Sequence, residues 1–281
     1  MKFILAGLGN WYNDFKYIES AIIEADKDGF DGAVLPDHYM WGNSVGIQRP
    51  DINTTLETWI AISYLLAKTE KIKIGTLVTP IPFRPPGMLA KMISTADNLS
   101  GGRTIVGIGA GWSQVEFEGY SEWNGPSIRV DKAYEGLELM VKLWTENVVK
   151  FKGTYYQAKD AVLDPKPIQK PYPKLLFGSR GARMLKLAGQ YGDICFFPPW
   201  PGSNHEEMKQ IVTESAKLHN RIDKVSFMIG EMRPTMIGEY FKKVEQAVDF
   251  GASYYLASFQ RSEDLSVTIR KFATDIIPSF R

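Results

Sequence analysis

Short apolar runs alternate with amphipathic stretches along nearly the whole chain. Phe3 to Ala6 predicts a first strand, and from Asp14 to Asp28 the apolar residues Ile18, Ala21, Ile22 and Ala25 recur at helical spacing. Ala33 to Leu35 predicts a second strand ending at Pro36-Asp37-His38, Leu56 to Lys68 a helix, and Ile72 to Val78 a third strand. Pro85 and Pro86 can open a helix but not sit inside one, so the next helix runs from Met88 to Leu99 and stops at Ser100-Gly101-Gly102. Thr104 to Ile108, β-branched and apolar, predicts a fourth strand covered on both faces. Arg129 to Trp144 is a long helix with Leu137, Met140, Val141 and Trp144 on one side. Leu175 to Phe177, Asp193 to Phe197, Val225 to Ile229 and Tyr254 to Ser258 are the remaining strands. Helices are predicted over Arg183 to Tyr191, Glu206 to His219, Tyr240 to Phe250 and Glu263 to Ile277. About eight βα units close a (β/α)8 TIM barrel, an α/β fold. No linker divides the chain, so residues 1–281 read as one domain.

Three connections are longer than packing requires: His38 to Thr55, Ser113 to Ser127, and the proline-rich Lys150 to Lys174 before strand five. The first two fall at the C-terminal face of a barrel, where active sites lie. Trp11, Trp41, Trp112, Trp123 and Trp200 all follow predicted strands or sit in these loops. Ordinary lids over the barrel end would account for them, but indoles converging on one rim suit a flat aromatic ligand.

Composition narrows the classes. The 281 residues are 44% hydrophobic with a net charge of +1, enough for a large core and no basis for expecting nucleic-acid or anionic-membrane partners. Cys195 is the only cysteine, which excludes an internal disulfide and, between Ile194 and Phe196, reads as a buried structural thiol. The apolar run at the N-terminus is too short for a signal peptide and no segment is long enough to span a bilayer, so a cytoplasmic location is expected. No His, Asp or Glu set has metal-ligand spacing, so no metal is expected.

His38 is the most informative single residue, since a histidine at the end of a barrel strand can exchange a proton near neutral pH. A structural histidine, capping a helix or bonding a carbonyl, is the alternative. His205 and His219 lie in charged helical surroundings and read as surface residues. Gly7-Leu8-Gly9 and Gly107-Ile108-Gly109 follow strands, but Tyr12 and Trp112 occupy the third glycine position, which rejects a dinucleotide fingerprint. Gly107, Gly109 and Gly111 strip side chains from the exit of strand four, which lets something approach the backbone. A better anion site is Gly178-Ser179-Arg180-Gly181-Ala182, where a strand ends and a helix begins; Arg180 or Arg183 could add a charge.

Together these segments resemble the bacterial luciferase-like monooxygenase family. Gly29-Phe30-Asp31-Gly32 through Asp37-His38 is similar to its second strand, and Thr79-Pro80, Arg84-Pro85-Pro86 and Leu99 to Arg103 to its third βα unit. Gly107 to Trp112 with Glu116, and Gly153 to Tyr156 with Pro165-Lys166-Pro167 and Pro171, match later segments. The resemblance implies a (β/α)8 barrel with an insertion before strand five, a homodimer or higher homo-oligomer, and a flavin-type coenzyme across the barrel mouth. It implies that Asp37 and His38 approach the coenzyme ring. Thr76, Leu77 and Val78 would lie behind the ring, with a non-proline cis peptide expected there. Gly109, Ala110 and Gly111 would contact the ring or its chain, Gly178 to Ala182 its phosphate, and Phe196, Phe197 and Pro198 the far wall. Trp41, Trp112 and Trp200 would form the substrate pocket. Family dehydrogenases tend to carry a glutamate directly after the strand-four glycines. Trp112 stands there in this chain, and Glu116 is the nearest acid.

The resemblance thus implies hydride transfer with the deazaflavin coenzyme F-420 to or from a small organic substrate, with His38, Asp37 and Glu116 as the catalytic set. A reduced-FMN monooxygenase is the alternative, and a flavin-binding protein without turnover the second. Arg49 and Arg129 leave an anionic substrate open.

Overall fold

The computed structural model describes residues 1–9, 14–40, 55–260 and 265–281. In chain order the strands are β1 (Lys2–Leu5), β2 (Gly32–Leu35), β3 (Lys73–Thr76), β4 (Thr79–Pro80), β5 (Thr104–Gly109), β6 (Val149–Lys152), β7 (Gln157–Ala161), β8 (Lys174–Gly178), β9 (Ile194–Phe196), β10 (Ser226–Gly230) and β11 (Tyr254–Ala257). The helices are α1 (Phe15–Lys27), α2 (Thr58–Lys68), α3 (Pro86–Leu99), α4 (Gln114–Tyr120), α5 (Pro126–Thr145), α6 (Ala182–Tyr191), α7 (His205–Leu218), α8 (Tyr240–Asp249), α9 (Leu265–Asp275) and α10 (Ile277–Phe280).

β1, β2, β3, β5, β8, β9, β10 and β11 pair in parallel, and the β1–β11 and β3–β5 pairings close them into the eight-stranded barrel. Strand alternation divides the core in two. Ile4, Val34, Ile105, Leu176, Phe196, Met228 and Leu256 fill the barrel interior, while Phe3, Leu35, Ile74, Val106, Leu175 and Phe177 face the helices. β3 and β5 meet at glycines. A Cβ on Gly75 would lie 1.9 Å from the Ile105 carbonyl oxygen, so no larger residue fits.

Several predicted boundaries move. The third strand ends at Thr76, not Val78, and the Leu77–Val78 peptide bond is cis. Ser113 to Ser127 is not a plain loop: it holds α4, and α5 begins at Pro126, its N1-compatible proline. The insertion before the fifth barrel strand contains the antiparallel hairpin β6–β7, which its proline content hid. Its turn is held from outside, because the Glu135 carboxylate on α5 accepts the backbone N–H groups of Thr154, Tyr155 and Tyr156 at 2.8, 2.7 and 2.6 Å. No helix among the described residues is long and apolar enough to cross a membrane.

Packing around tyrosines sets an alkaline limit. Burial pushes the phenols of Tyr39, Tyr156 and Tyr191 up to about 12. The fold therefore favours the neutral phenol, and that stabilisation is complete below the unfolded value of about 10 and lost as pH rises through 12. The phenolate absorbance of the buried tyrosines is expected to rise only together with loss of the near-UV dichroism. Titration of all tyrosines in one stage with the dichroism intact would contradict it.

Candidate active site

The C-terminal ends of the strands surround a small depression lined by Ala6, Gly7, Val34, Pro36, Leu77, Met232 and Leu256. His38 follows Val34 and Pro36 by the same two-residue alternation, which carries it to this mouth. Its Nδ1 lies 2.7 Å from Glu116 Oε2, and the other carboxylate oxygen accepts the backbone N–H groups of Tyr39 at 2.8 Å and Met40 at 3.4 Å. The Glu116 side chain is fully buried. The contact commits the Nδ1 edge of the imidazole to Glu116 and fixes the orientation of the ring.

The chain brings Glu116 there by folding α4 back over the mouth. Phe117 packs on Phe83 with ring centroids 4.6 Å apart, and Tyr120 packs on Tyr39 at 4.8 Å. Gly111 makes the reversal, with φ of 80°, and a Cβ there would lie 2.5 Å from the Phe117 ring. The short helix was invisible as a pattern, and its one signal was an acid directly beside an aromatic residue four positions beyond Trp112.

Asp37 turns away from the mouth. Both of its oxygens receive Arg84, at 2.7 and 2.9 Å, and both side chains are buried. Arg84 also donates from Nε to Glu57 at 3.0 Å and lies over the Tyr39 ring. Burial alone would lower the Arg84 guanidinium, but the Asp37 charge and hydrogen bonds raise it above its ordinary value. Asp37, implied as catalytic, thus spends both carboxylate oxygens on Arg84. The alternation that points His38 at the mouth points its neighbour into this pair. Thr76 is likewise engaged inside the protein, its hydroxyl oxygen accepting the Gly107 N–H at 3.1 Å and the Thr79 hydroxyl at 3.0 Å.

The glycines that end β5 and β8 admit protein side chains. A Cβ on Gly109 would lie 2.6 Å from Val78 Cγ2, and one on Gly178 would lie 2.8 Å from Leu77 Cδ1. Leu77 and Val78 thus fill the space the glycines leave, and they present the surface behind the mouth. Ala110 packs against the outer core. Phe196 faces the barrel interior, with buried Pro198 beyond it. Phe197 faces the other way, against Phe227, Phe250 and His205. Its side chain is not part of the mouth, again because strand alternation separates consecutive residues.

The fit to an anionic coenzyme end can be tested at α6. Gly181 caps α6 without a side-chain bond, leaving the first N–H groups of Ala182 and its neighbours for a ligand. The Ser179 hydroxyl beside it is buried with no hydrogen-bond partner, and exposed Arg180 lies 5.7 Å over the Trp200 ring. A phosphate suits this donor set. Arg183 does not join it, being bonded to Ser127 and Asp131 of α5. Arg129 is similarly taken, by the Gly111 carbonyl at 3.2 Å and the Trp123 ring at 4.0 Å.

Of the indoles, Trp112 meets the His38 ring edge-on at 5.7 Å and Trp112 and Trp200 are about half exposed, 51% and 43%. Trp11, Trp41 and Arg49 lie outside the described residues. His205 is not the surface residue its surroundings suggested: it is half-buried, with Nε2 3.2 Å from the Pro198 carbonyl oxygen. His219 is exposed at the end of α7. Cys195 is buried, which pushes its thiol up.

A parallel (β/α)8 barrel whose polar groups gather at the strand C-termini is the layout of a barrel enzyme. The profile of the luciferase-like monooxygenase family matches residues 4–268, and the chain belongs to that family. It is 29% identical over 185 residues to an FMNH2-dependent dimethylsulfone monooxygenase of Pseudomonas putida, covering 65% of this chain and 48% of that one. It is 34% identical over 180 residues to an F-420-dependent glucose-6-phosphate dehydrogenase of Segniliparus rotundus, covering 62% and 50%. The chain spans about half the length of these curated relatives. Among solved structures, an F-420-dependent secondary alcohol dehydrogenase with an F-420–acetone adduct superposes with a TM-score of 0.85 at 22% identity, covering 100% of this chain and 99% of that one.

Proposed function

We propose that this protein is an oxidoreductase using coenzyme F-420 for hydride transfer to or from a small organic substrate at the barrel mouth. The observation that carries the reading is the 2.7 Å contact between His38 and buried Glu116 at that mouth. A pocket that only held a flavin would have no use for a carboxylate-oriented imidazole there, which argues against a binding protein without turnover. The coenzyme, when bound, supplies the group that accepts or donates hydride. The chain supplies the proton work. In the oxidation direction His38 Nε2 takes the substrate hydroxyl proton, Glu116 stabilises the imidazolium through Nδ1, and both reverse in reduction. Ser179, Arg180, Gly181 and Ala182 hold the phosphate, while Leu77, Val78 and Phe196 support the ring. Asp37 is a positioning residue, locked by Arg84 beneath His38.

FMN-dependent monooxygenation is the second reading, favoured by the dimethylsulfone monooxygenase relative. A cytoplasmic homodimer completes the proposal. Leu56, Ile60 and Tyr64 form an apolar stripe at four-residue spacing, 54, 68 and 43% exposed, that suits a second copy.

The test is a titration of the purified protein with F-420 and FMN, following tryptophan fluorescence. Trp112 and Trp200 are exposed at the mouth and report directly. Micromolar or tighter F-420 binding with much weaker FMN is expected. The reverse order moves the assignment to the monooxygenase, and no binding by either rejects both.

A further inference from the structure

Among the described residues, four serines carry a buried hydroxyl without a hydrogen-bond partner, Ser113, Ser179, Ser203 and Ser258. All four follow barrel strands, at the mouth: Ser113 after β5, Ser179 after β8, Ser203 after β9 and Ser258 after β11. Unmet hydroxyls in a protein interior are rare and costly, so their gathering at one end points to a polar molecule that spans it. Ser179 belongs to the phosphate cradle. Ser258 lies on the other side of the mouth and has had no role.

Its position follows from the alternation of β11. Tyr254 and Leu256 belong to the interior cluster, and Tyr255, Ala257 and Phe259 to the outer one, so Ser258 continues the interior row. The register pairs Leu5 with Ala257, which sets Ser258 beside Ala6, and both Ala6 and Leu256 line the mouth cavity. Ser258 is fully buried. Its backbone cannot swing away, because the Tyr240 hydroxyl accepts its N–H at 3.0 Å and donates to its carbonyl oxygen at 2.5 Å. The residues that line the cavity are apolar apart from their backbone, and Ser258, beside Ala6 and two residues past Leu256, is the buried unpartnered polar group adjoining that wall.

The strand order supplies the ligand. β8, which leads into the phosphate cradle, stands four strands from β1 in either direction round the barrel. A molecule anchored by its phosphate at α6 and lying over Leu77 and Val78 would extend toward β11, β1 and β2. A flavin or deazaflavin ring would bring carbonyl oxygens as hydrogen-bond acceptors.

Resting on the coenzyme reading above, we propose that the Ser258 hydroxyl donates a hydrogen bond to a carbonyl oxygen of the coenzyme ring, clamping the edge opposite the phosphate. The test compares wild type with Ser258→Ala in two measurements, thermal unfolding of the coenzyme-free protein and fluorescence titration with F-420 and FMN. The variant is expected to melt at or slightly above the wild-type temperature, since it loses an unsatisfied buried hydroxyl. Its Kd for the preferred coenzyme is expected to rise about 5- to 100-fold. A clearly lower melting temperature would mean that the hydroxyl serves the fold, and an unchanged Kd that no ligand meets it; either overturns the proposal alone. Failure of the wild type to bind either coenzyme overturns the coenzyme reading, and this proposal with it.

Discussion

His38→Asn lowers turnover by about 10²- to 10⁴-fold, the range of a lost general acid–base, while coenzyme affinity stays within about threefold. Asparagine keeps a hydrogen-bonding group near Glu116 but cannot carry a proton between substrate and solvent. Glu116→Gln is expected to reproduce part of this loss. The amide can still accept the Tyr39 and Met40 N–H groups that the carboxylate accepts, so the local backbone holds. It cannot stabilise an imidazolium with a full charge. Steady-state kinetics separate the two roles: both variants should lose kcat with KM nearly unchanged, His38→Asn by more than Glu116→Gln. A His38→Asn variant that turned over normally but bound coenzyme poorly would return the protein to the class of binding modules.

Arg84→Met destabilises the fold by about 3–5 kcal/mol, the range for breaking a buried pair from one side. The Asp37 carboxylate, buried with both oxygens on Arg84, is left charged and unpaired. Glu57 suffers less because its side chain reaches solvent, 31% exposed. For a chain of this length the melting temperature should fall on the order of 5–10 °C. Adding Asp37→Asn removes the orphaned charge, so the double variant should melt above Arg84→Met alone. Simple additivity of the two losses would show that the pair is not coupled. Turnover is expected to drop in both variants, because Asp37 anchors the chain immediately before His38 to Arg84.

The barrel was legible because its cause is local. Apolar runs of four to six residues, proline and glycine stops, and periodic helices such as Asp14 to Asp28 each settle within one turn or strand of chain, and the observed elements fall within a few residues of them. His38 and the α6 cradle were legible for the same reason: each sits at a strand exit, and a barrel sends every strand exit to one end. The cis peptide after β3 came from family resemblance and not from any residue pattern.

What the pattern could not supply is which long-range neighbours meet. Glu116 reaches His38 across 78 residues because Gly111 reverses the chain and Phe117 and Tyr120 pack down α4, a helix of seven residues that is too short to show a period. Asp37 and His38 are adjacent in sequence and read as partners, yet a half-turn of extended backbone sends one to Arg84 and the other to the mouth. Phe196 and Phe197 part in the same way. The amino-acid sequence by itself determined the barrel, its open end and the imidazole placed there, since hydrophobic periodicity acts between near neighbours. Tertiary structure alone decided the carboxylate that orients that imidazole, the arginine that claims Asp37, and the buried hydroxyl of Ser258, since burial and pairing depend on surfaces that meet only when the barrel closes.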